Sequence, residues 1–264
     1  MKFTSLMLSA TVAVGSIASA NVMAQTDAAA PGAVKNIVLV HGAFVDGSGW
    51  KPVYEILKRD GYNVNLVQEP LTSLADDVTA TRRVIDLQPG PTILVAHSYG
   101  GTVITEAGTD PKVAGLVYIA AHEPDTGETE SANGKRFPAK AAAPLKTADG
   151  YLYLDPARFH EDFSADLPAA QADFEAHSQI PTAAQVFTTP VTDPAWKVKP
   201  SWALVATDDH IISPDLERMY AARAHSNTVE VQGASHSVYE TRPKEVAALI
   251  EQAARHAQNQ AKAL

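Results

Sequence analysis

The sequence predicts an α/β protein with a parallel β-sheet covered by helices on both faces. Short runs rich in Val, Ile and Leu recur along the chain and alternate with helix-like segments. These runs resemble buried parallel strands more than alternating, half-exposed ones. The 264 residues are 45% hydrophobic and 19% charged, which suits one globular domain with a large core.

The predicted elements alternate in the βαβα order of a parallel sheet. The six predicted strands are Asn36–His41, Asn63–Val67, Thr92–His97, Gly115–Ala120, Trp202–Thr207 and Thr228–Gln232. The five predicted helices are Lys51–Asp60, Leu74–Leu87, Tyr99–Thr109, Pro214–Ala224 and Pro243–His256. Gly61 closes the first helix, and Pro214 and Pro243 lie near helix starts.

The interval of about 121–199 interrupts this alternation with many prolines and alanines. Weak helical patterns occur at Pro156–Phe163 and Ala169–His177. Since the strand pattern resumes at Trp202, an inserted, mostly helical cap fits better than a linker between domains.

The N-terminus predicts a secretory signal peptide over residues 1–24. Lys2 precedes an uncharged run that ends in small residues, with Ala24 or Ala20 before the cleavage site. The run holds too many Ser, Thr, Gly and Asn residues for a stable membrane anchor. We expect a disordered lead-in at 25–34, a domain over 35–264, and a periplasmic or secreted mature protein.

The charge and the missing cysteines exclude several classes of function. The formal net charge is −9, and loss of Lys2 with the signal peptide would make it −10. So acidic a protein is not expected to bind nucleic acid or an anionic membrane face. Without cysteine there are no disulfides and no thiolate metal sites.

Ser98 has the setting of a serine nucleophile. It directly follows an apolar strand, within Ala96-His97-Ser98-Tyr99-Gly100-Gly101, and it opens a helix. Nucleophile elbows need small residues two positions before and after the serine. Gly100 meets this need, while Ala96 replaces the usual first glycine. The alternative is a serine that only caps an ordinary helix.

A loop after the first strand, Val40-His41-Gly42-Ala43-Phe44, can supply part of an oxyanion hole. Two backbone N–H groups are needed, one after the nucleophile and one from an earlier loop. We assign them to Tyr99 and Ala43, and we expect His41 to brace the loop. A tight glycine turn without a catalytic part is the alternative.

His236 is the candidate base among nine histidines, because it lies in a loop after the last strand. His97 adjoins the serine but should point away from it. The carboxylate is Asp208 or Asp209, both in the loop after the fifth strand, and the residues alone do not separate them. The order Ser, Asp, His along the chain is that of the α/β-hydrolase arrangement.

These motifs resemble the α/β-hydrolase superfamily from Lys35 to the last helix. V-H-G-A-F, H-S-Y-G-G and D-x-I-x-x-P look like the small serine esterases grouped with pyrethroid hydrolases and plant methyl-salicylate esterases. The resemblance implies an α/β-hydrolase fold with about six parallel strands, and it favours Asp209 over Asp208. Haloalkane dehalogenases of the superfamily use an aspartate nucleophile and are excluded by Ser98.

The same group includes plant hydroxynitrile lyases, and this chain departs from them at two positions. Those enzymes usually carry threonine in place of Gly42 and lysine in place of Ser237. Both departures favour hydrolysis. Cofactor-free haloperoxidases share the triad and stay open as an alternative.

The predicted function is hydrolysis of small carboxylic esters through an acyl-enzyme, with Ser98, Asp209 and His236 as triad. Hydrolysis of an amide or lactone, a lyase or haloperoxidase activity, and a non-catalytic binding protein are the alternatives. No metal or cofactor is expected, and the partner is a small-molecule ester. The predicted pocket residues are Phe44, His122, Phe137 and Phe159.

Overall fold

The computed structural model describes Met1 and residues 32–261, with backbone alone at 258–261. Its first part alternates strands and helices: β1 (Asn36–Val40), α1 (Lys51–Arg59), β2 (Asn63–Leu66), α2 (Leu74–Asp86), β3 (Thr92–Ser98), α3 (Gly100–Ala107) and β4 (Val113–Ala121). The cap follows, with α4 (Glu130–Arg136), β5 (Leu145–Lys146), β6 (Tyr151–Tyr153), α5 (Pro156–Asp162), α6 (Ala169–His177) and β7 (Thr182–Ala183). The last part contains β8 (Ser201–Ala206), α7 (Pro214–Arg223), β9 (Asn227–Val231), α8 (Val238–Thr241) and α9 (Pro243–Ala261).

The main sheet has six strands in the order β2-β1-β3-β4-β8-β9. Every neighbouring pair is parallel, which confirms the predicted fold class. The chain runs outward from β1 to β2 and then returns to place β3 on the other side of β1. Ligands bind where a doubly wound sheet reverses its strand order in this way, at the carboxyl ends of the strands. Here those ends are the loops after Val40 and Ser98.

Two apolar layers cover the faces of the sheet, because successive strand residues point to opposite sides. Val38 and Leu94 belong to the layer formed with α2 and α3, and Ile37 and Ile93 belong to the layer formed with α1 and α9. The inner strands β1 and β3 are buried along their whole length. They therefore hold the loops that follow them on a rigid base.

The prediction that all six runs are buried is wrong for the sheet edges. β9 is exposed at four of its five positions, and β2 has one buried residue. β9 has one neighbouring strand, β8, and carries Asn227, Thr228 and Glu230. An edge strand needs apolar residues over less of its surface, so polar residues are accepted there.

The cap lies between β4 and β8, and it contains a small sheet as well as helices. β5, β6 and β7 pair antiparallel. Their two- and three-residue lengths are too short for sequence periodicity to reveal. The cap also bridges to the core, since Ile180 pairs antiparallel with Phe44.

The predicted signal peptide, and residues 25–31 of the predicted lead-in, lie outside the described residues. The lead-in's final residues Ala33 and Val34 are buried, and the Val34 amide donates to the Ala254 carbonyl at 2.9 Å. Packing thus begins before Lys35, because these two apolar residues reach α9. Within the described range, no helix is long and apolar enough to cross a membrane.

Candidate active site

Ser98 ends β3 in a left-handed backbone conformation, with φ of +54°. Non-glycine residues seldom adopt this region, and a serine held there at a strand-to-helix turn is the geometry of a nucleophile elbow. A β-carbon at Gly100 would lie 2.4 Å from the His41 carbonyl oxygen, and one at Gly101 would lie 2.1 Å from that of His122. Both positions therefore need glycine for α3 to pack against its neighbours.

The loop after β1 lies against the serine. A β-carbon at Gly42 would lie 2.7 Å from Ser98 Cβ, so the loop approaches as closely as backbone can. His41 braces this loop: its Nε2 accepts from the Glu69 amide at 2.9 Å, and its Nδ1 therefore carries the proton donated to the Gly42 carbonyl at 2.8 Å. Burial lowers the pKa of His41, which keeps the ring neutral.

The two predicted oxyanion donors belong to the two backbone segments that meet at Ser98. Ala43 follows Gly42 and shares a cavity wall with Ser98. Tyr99 precedes the first turn of α3, where backbone N–H groups have no partner within the helix. Its phenol is turned into the core and donates to Asp77 Oδ2 at 2.7 Å.

The predicted base and carboxylate are hydrogen-bonded to each other. His236 Nδ1 lies 2.5 Å from Asp209 Oδ2, and both side chains are fully buried. Asp209 Oδ1 accepts from the amides of Ile211 at 2.7 Å and Ile212 at 2.9 Å. These contacts fix the carboxylate as an acceptor, so Nδ1 is the protonated nitrogen of His236. His236 Nε2 is buried and has no hydrogen-bond partner in the described part of the chain, which leaves it available to accept a proton.

Asp208 takes a different position. Its carboxylate is about half exposed and contacts Lys140 at 3.2 Å and His210 at 3.3 Å. These contacts lower the pKa of Asp208, with the Lys140 hydrogen bond as the largest cause. The geometry therefore pairs His236 with Asp209.

His97, the residue before Ser98, packs against His236 and hydrogen-bonds its backbone. Its Nε2 bonds the His236 carbonyl oxygen at 2.9 Å, and its ring lies 4.3 Å from that of Tyr239 and 4.5 Å from that of His236. Burial lowers the pKa of His97 well below its usual value. The ring is thus a neutral packing partner of His236 and Tyr239.

A cavity of about 760 Å³ opens above Ser98, between the core and the cap. Its apolar wall is formed by Phe44, Leu152, Leu154, Phe163, Phe187 and Ile211. Its polar lining includes His122 and Glu130 beside Ser98. The volume suits a small organic ligand.

Two of the four predicted pocket residues line this cavity and two do not. Phe44 and His122 are in its wall. Phe137 instead packs against an apolar cluster of Ile212, Leu216 and Tyr220. Phe159 is fully buried and stacks on Phe163, with ring centroids 4.8 Å apart. Phe163 lines the cavity, and Phe159 packs against Phe163 in the core.

The sequence prediction missed Thr182 and Glu130. Thr182 Oγ1 accepts from the Phe44 amide at 3.0 Å, and the Ile180 amide donates to the Phe44 carbonyl at 2.9 Å. Phe44 is thereby held at a φ of +69° by the cap. Since Thr182 lies 138 residues further along the chain, no local pattern points to this contact.

Glu130 is buried at the start of α4 and pairs with His122. His122 Nε2 lies 3.3 Å from Glu130 Oε2, and Thr102 Oγ1 donates to Glu130 Oε1. Burial raises the pKa of Glu130 to about 8 and lowers that of His122 to about 3. Burial therefore favours the uncharged forms of both side chains. No group of three or more metal-binding side chains occurs in the described residues.

The sequence profile of the alpha/beta hydrolase family matches residues 37–249, which include all three candidate triad residues. The chain belongs to the alpha/beta hydrolase family. This result confirms the family resemblance of the sequence motifs.

Two curated proteins are similar in sequence. A carbendazim hydrolyzing esterase of Nocardioides sp. (strain SG-4G) is 32% identical over 108 residues, which are 36% of this chain and 45% of the esterase. The chain thus matches less than half of that protein's length. A probable hydrolase, R7, of Phoma sp. (strain ATCC 20986 / MF5453) is 25% identical over 201 residues, which are 68% of this chain and 79% of R7.

Solved alpha/beta hydrolase structures share the fold at low identity. A pyrethroid hydrolase from Sphingobium faniae JZ-2 is 22% identical with a TM-score of 0.67, over 84% of this chain and 97% of that one. Polyneuridine aldehyde esterase is 15% identical with a TM-score of 0.71, over 83% and 99%. A methylesterase from Arabidopsis is 18% identical with a TM-score of 0.68, over 83% and 98%.

Proposed function

We propose that the protein is a serine esterase that cleaves small carboxylic esters through an acyl-enzyme. The Asp209–His236 pair carries this proposal. It leaves the buried Nε2 of His236 without a hydrogen-bond partner among the described residues, at the end of the sheet where Ser98 lines a cavity. Proteins named esterase or hydrolase among the relatives support ester cleavage. The overall charge and the apolar wall favour neutral, small-molecule esters.

In the first half of the reaction, Ser98 Oγ attacks the ester carbonyl carbon while His236 Nε2 takes the hydroxyl proton. The carbonyl π electrons move to oxygen, and the amides of Ala43 and Tyr99 stabilise the oxyanion. The tetrahedral intermediate collapses with cleavage of the C–O bond, and His236 gives its proton to the departing alcohol. Asp209 holds the imidazole and stabilises its charged form.

In the second half, water replaces the alcohol. His236 takes a proton from water as its oxygen attacks the acyl carbon, and the second tetrahedral intermediate collapses to release the carboxylic acid. The proton returns to Ser98 Oγ. Each cycle therefore consumes one ester and one water and releases an acid and an alcohol.

The lyase alternative requires a different environment. The resemblance implies a threonine in place of Gly42 in hydroxynitrile lyases, yet a β-carbon at Gly42 would lie 2.7 Å from Ser98 Cβ. Ser237, which stands where those lyases carry lysine, is buried, and its amide donates to the Phe163 carbonyl at 3.1 Å. Both observations support hydrolysis over cyanohydrin cleavage.

A fluorophosphonate probe tests the nucleophile directly. We expect stoichiometric labelling at Ser98, located by peptide mass spectrometry, with loss of labelling in Ser98→Ala and His236→Ala. Ser48→Ala, a serine on the smaller cleft beside the cap, serves as the matched control that still labels. An unlabelled folded native protein would favour the non-catalytic binding alternative.

A substrate panel tests the reaction class. Nitrophenyl esters of increasing acyl length, run beside lactones, anilides and a cyanohydrin, should show preference for the esters. Cyanohydrin cleavage without esterase activity would contradict the assignment as a hydrolase. Faster cleavage of lactones or anilides than of the esters would show that the protein is a lactone or amide hydrolase.

We also propose that the protein is exported after removal of residues 1–24. The support is the composition of that segment, with Lys2 before an uncharged run. Intact mass of protein from a periplasmic or medium fraction should correspond to a chain that begins at Gln25. Full-length protein in the cytoplasmic fraction alone would contradict export.

A further inference from the structure

The cavity above Ser98 has a largely buried polar pair in a mainly apolar wall, and its other polar lining residues are Ser131, Lys135 and Thr188. His122 and Glu130 form the pair, and both line the cavity with the serine. Their side chains are 12% and 4% exposed, so most of their surface is in contact with protein. A buried polar pair costs free energy unless it gains partners, and cavities with a few placed polar groups use them to orient ligands.

A chain of hydrogen-bonding groups holds the pair in place. Asn133 Nδ2 donates to the Tyr220 hydroxyl at 2.9 Å, and that hydroxyl lies 3.4 Å from His122 Nδ1. On the other side, Thr102 donates to Glu130. The contacts come from α3, α4 and α7, so the pair is fixed by the core and the cap together.

The pair lies beside the nucleophile. The His122 amide donates to the Ser98 carbonyl at 3.1 Å, because β4 ends next to β3 at this point. Proximity to His236 contributes to the low pKa of His122, after burial as the largest cause. Because both side chains line the same cavity as Ser98, a group bound by the pair occupies the same space as the ester under attack.

We propose that His122 and Glu130 form a subsite for an uncharged hydrogen-bonding substituent, such as a hydroxyl, on the carbon next to the scissile carbonyl. The preferred substrates are then α-hydroxy esters with an apolar remainder. This inference rests on the proposed esterase function and adds its substrate class. Lys135 also lines the cavity, but its side chain is exposed, so the buried part of the subsite is the His122–Glu130 pair. Burial favours the uncharged forms of this pair, which can both donate to and accept from a hydroxyl and offer no full charge to a buried carboxylate or ammonium.

Four methyl esters of one skeleton test the subsite. They are methyl 3-phenylpropanoate, methyl phenyllactate, the half methyl ester of benzylmalonate and phenylalanine methyl ester, which place hydrogen, hydroxyl, carboxylate and, at pH 6, ammonium on the same carbon. We expect kcat/KM for the hydroxyl ester to exceed that of the hydrogen ester by about 3- to 10-fold, the range of one net hydrogen bond. Both charged esters should be poorer than the hydroxyl ester. Equal rates for hydrogen and hydroxyl, or preference for a charged ester, would overturn the proposal.

Substitutions identify the groups responsible. Glu130→Met and His122→Phe should each reduce the hydroxyl-to-hydrogen ratio towards one, while Glu130→Gln, which still donates and accepts, should retain most of it. Glu123→Gln is the matched control, because Glu123 is also buried beside the end of β4 but does not line the cavity. If the hydroxyl-to-hydrogen ratio is unchanged in both Glu130→Met and His122→Phe, the pair does not bind the substituent.

A binding measurement separates this inference from the proposed reaction. Calorimetry with Ser98→Ala should show tighter binding of methyl phenyllactate than of methyl 3-phenylpropanoate, and Ser98→Ala/Glu130→Met should lose the difference. If the native protein cleaves none of the esters but the binding difference persists, the proposed esterase function fails and the subsite stands. If esters are cleaved without any binding or rate difference, the subsite fails alone.

Discussion

At the scale of single residues, the site depends on close contact between two backbone segments. Ser98 has a positive φ, and Gly42 lies so near that its hydrogen occupies the place a side chain would take. The strained serine is held by its surroundings, since nothing in its own chemistry favours that conformation. Small changes in the neighbouring loop should therefore act on the rate before they act on folding.

Gly42→Ala tests this dependence. The added carbon would meet Ser98 Cβ at 2.7 Å, so the serine or the loop carrying Ala43 must move. A displacement of about 1 Å can cost about 100-fold in rate, and we expect kcat to fall by about that amount. Steady-state kinetics with a nitrophenyl ester measures it. Gly90→Ala is the control, because its β-carbon would have ordinary clearance of 3.7 Å, and a similar loss there would contradict the explanation.

Asp209→Asn and Asp208→Asn form a second matched pair. Asp209 fixes the tautomer of His236, so the Asp209→Asn substitution should lower kcat by about 10³- to 10⁴-fold with little change in KM. Asp208 bonds Lys140 and His210 on the surface, and the Asp208→Asn variant should keep kcat within about twofold of the native value. Comparable losses in the two variants would refute the assignment of the carboxylate.

At the scale of elements, the cap fixes part of the core. The β7 residue Thr182 accepts the Phe44 amide, and Ile180 pairs with the Phe44 carbonyl. Phe44 directly follows Ala43, the predicted oxyanion donor. The cap thus helps to set the position of a backbone group in the core as well as forming the wall of the cavity.

Thr182→Val removes the acceptor and keeps the shape of the side chain. The buried Phe44 amide would lose its partner, which costs about 1–3 kcal/mol and releases the loop from its left-handed conformation. We expect kcat to fall about 10-fold and KM to change less, with a lower free energy of unfolding in urea. Thr189→Val, in the same part of the cap but bonded to the exposed Gln185 carbonyl, should leave kcat near the native value. If Thr182→Val destabilises the protein without slowing turnover, the cap only covers the site.

At the scale of the whole molecule, buried carboxyl groups make stability depend on pH, and Glu69 is the example. Both carboxyl oxygens of Glu69 lack a hydrogen-bond partner in the described part of the chain. Burial, with Asp77 and Glu130 nearby, raises the pKa of Glu69 well above its usual value. The folded protein therefore holds this proton at pH values where the unfolded chain has lost it.

Glu69→Gln tests the resulting pH dependence. A raised pKa in the folded state gives stability that is complete below the unfolded pKa and is lost as pH rises towards the folded one. Above pH 4.5, ionisation of Glu69 should lower the free energy of unfolding of the native protein by up to about 1.4 kcal/mol per pH unit. The Glu69→Gln variant should not show this loss. Urea unfolding at pH 5 and pH 8 measures the difference. Glu245→Gln, an exposed residue, is the control, and equal pH slopes in native and Glu69→Gln proteins would contradict a shifted pKa.

Much of this architecture follows from local patterns in the sequence. Apolar runs locate all six strands of the main sheet, and the glycines beside Ser98 mark a turn with little space. Each of these signals lies within a few neighbouring residues. They are visible in the sequence because the apolar composition of a strand and the geometry of a turn are properties of neighbouring residues.

The rest depends on contacts between distant segments. Asp208 and Asp209 are adjacent in sequence, and only the packed loop turns one inward to His236. Phe159 and Phe163 are four residues apart, yet one fills the core and the other faces the cavity. Glu130 follows an interval without clear periodicity, and its role depends on meeting His122.

The link between Thr182 and Phe44 also bears on how such enzymes diversify. If the cap were exchanged between two relatives, the new cap would bring its own residues at the positions of Thr182 and Ile180. The contacts that hold Phe44, in the loop beside the nucleophile, would then change as well. Selectivity and turnover would then be inherited together, because one transplanted segment sets both. A chimera intended to change only the choice of substrate should carry the loop 42–44 from the same parent as its cap.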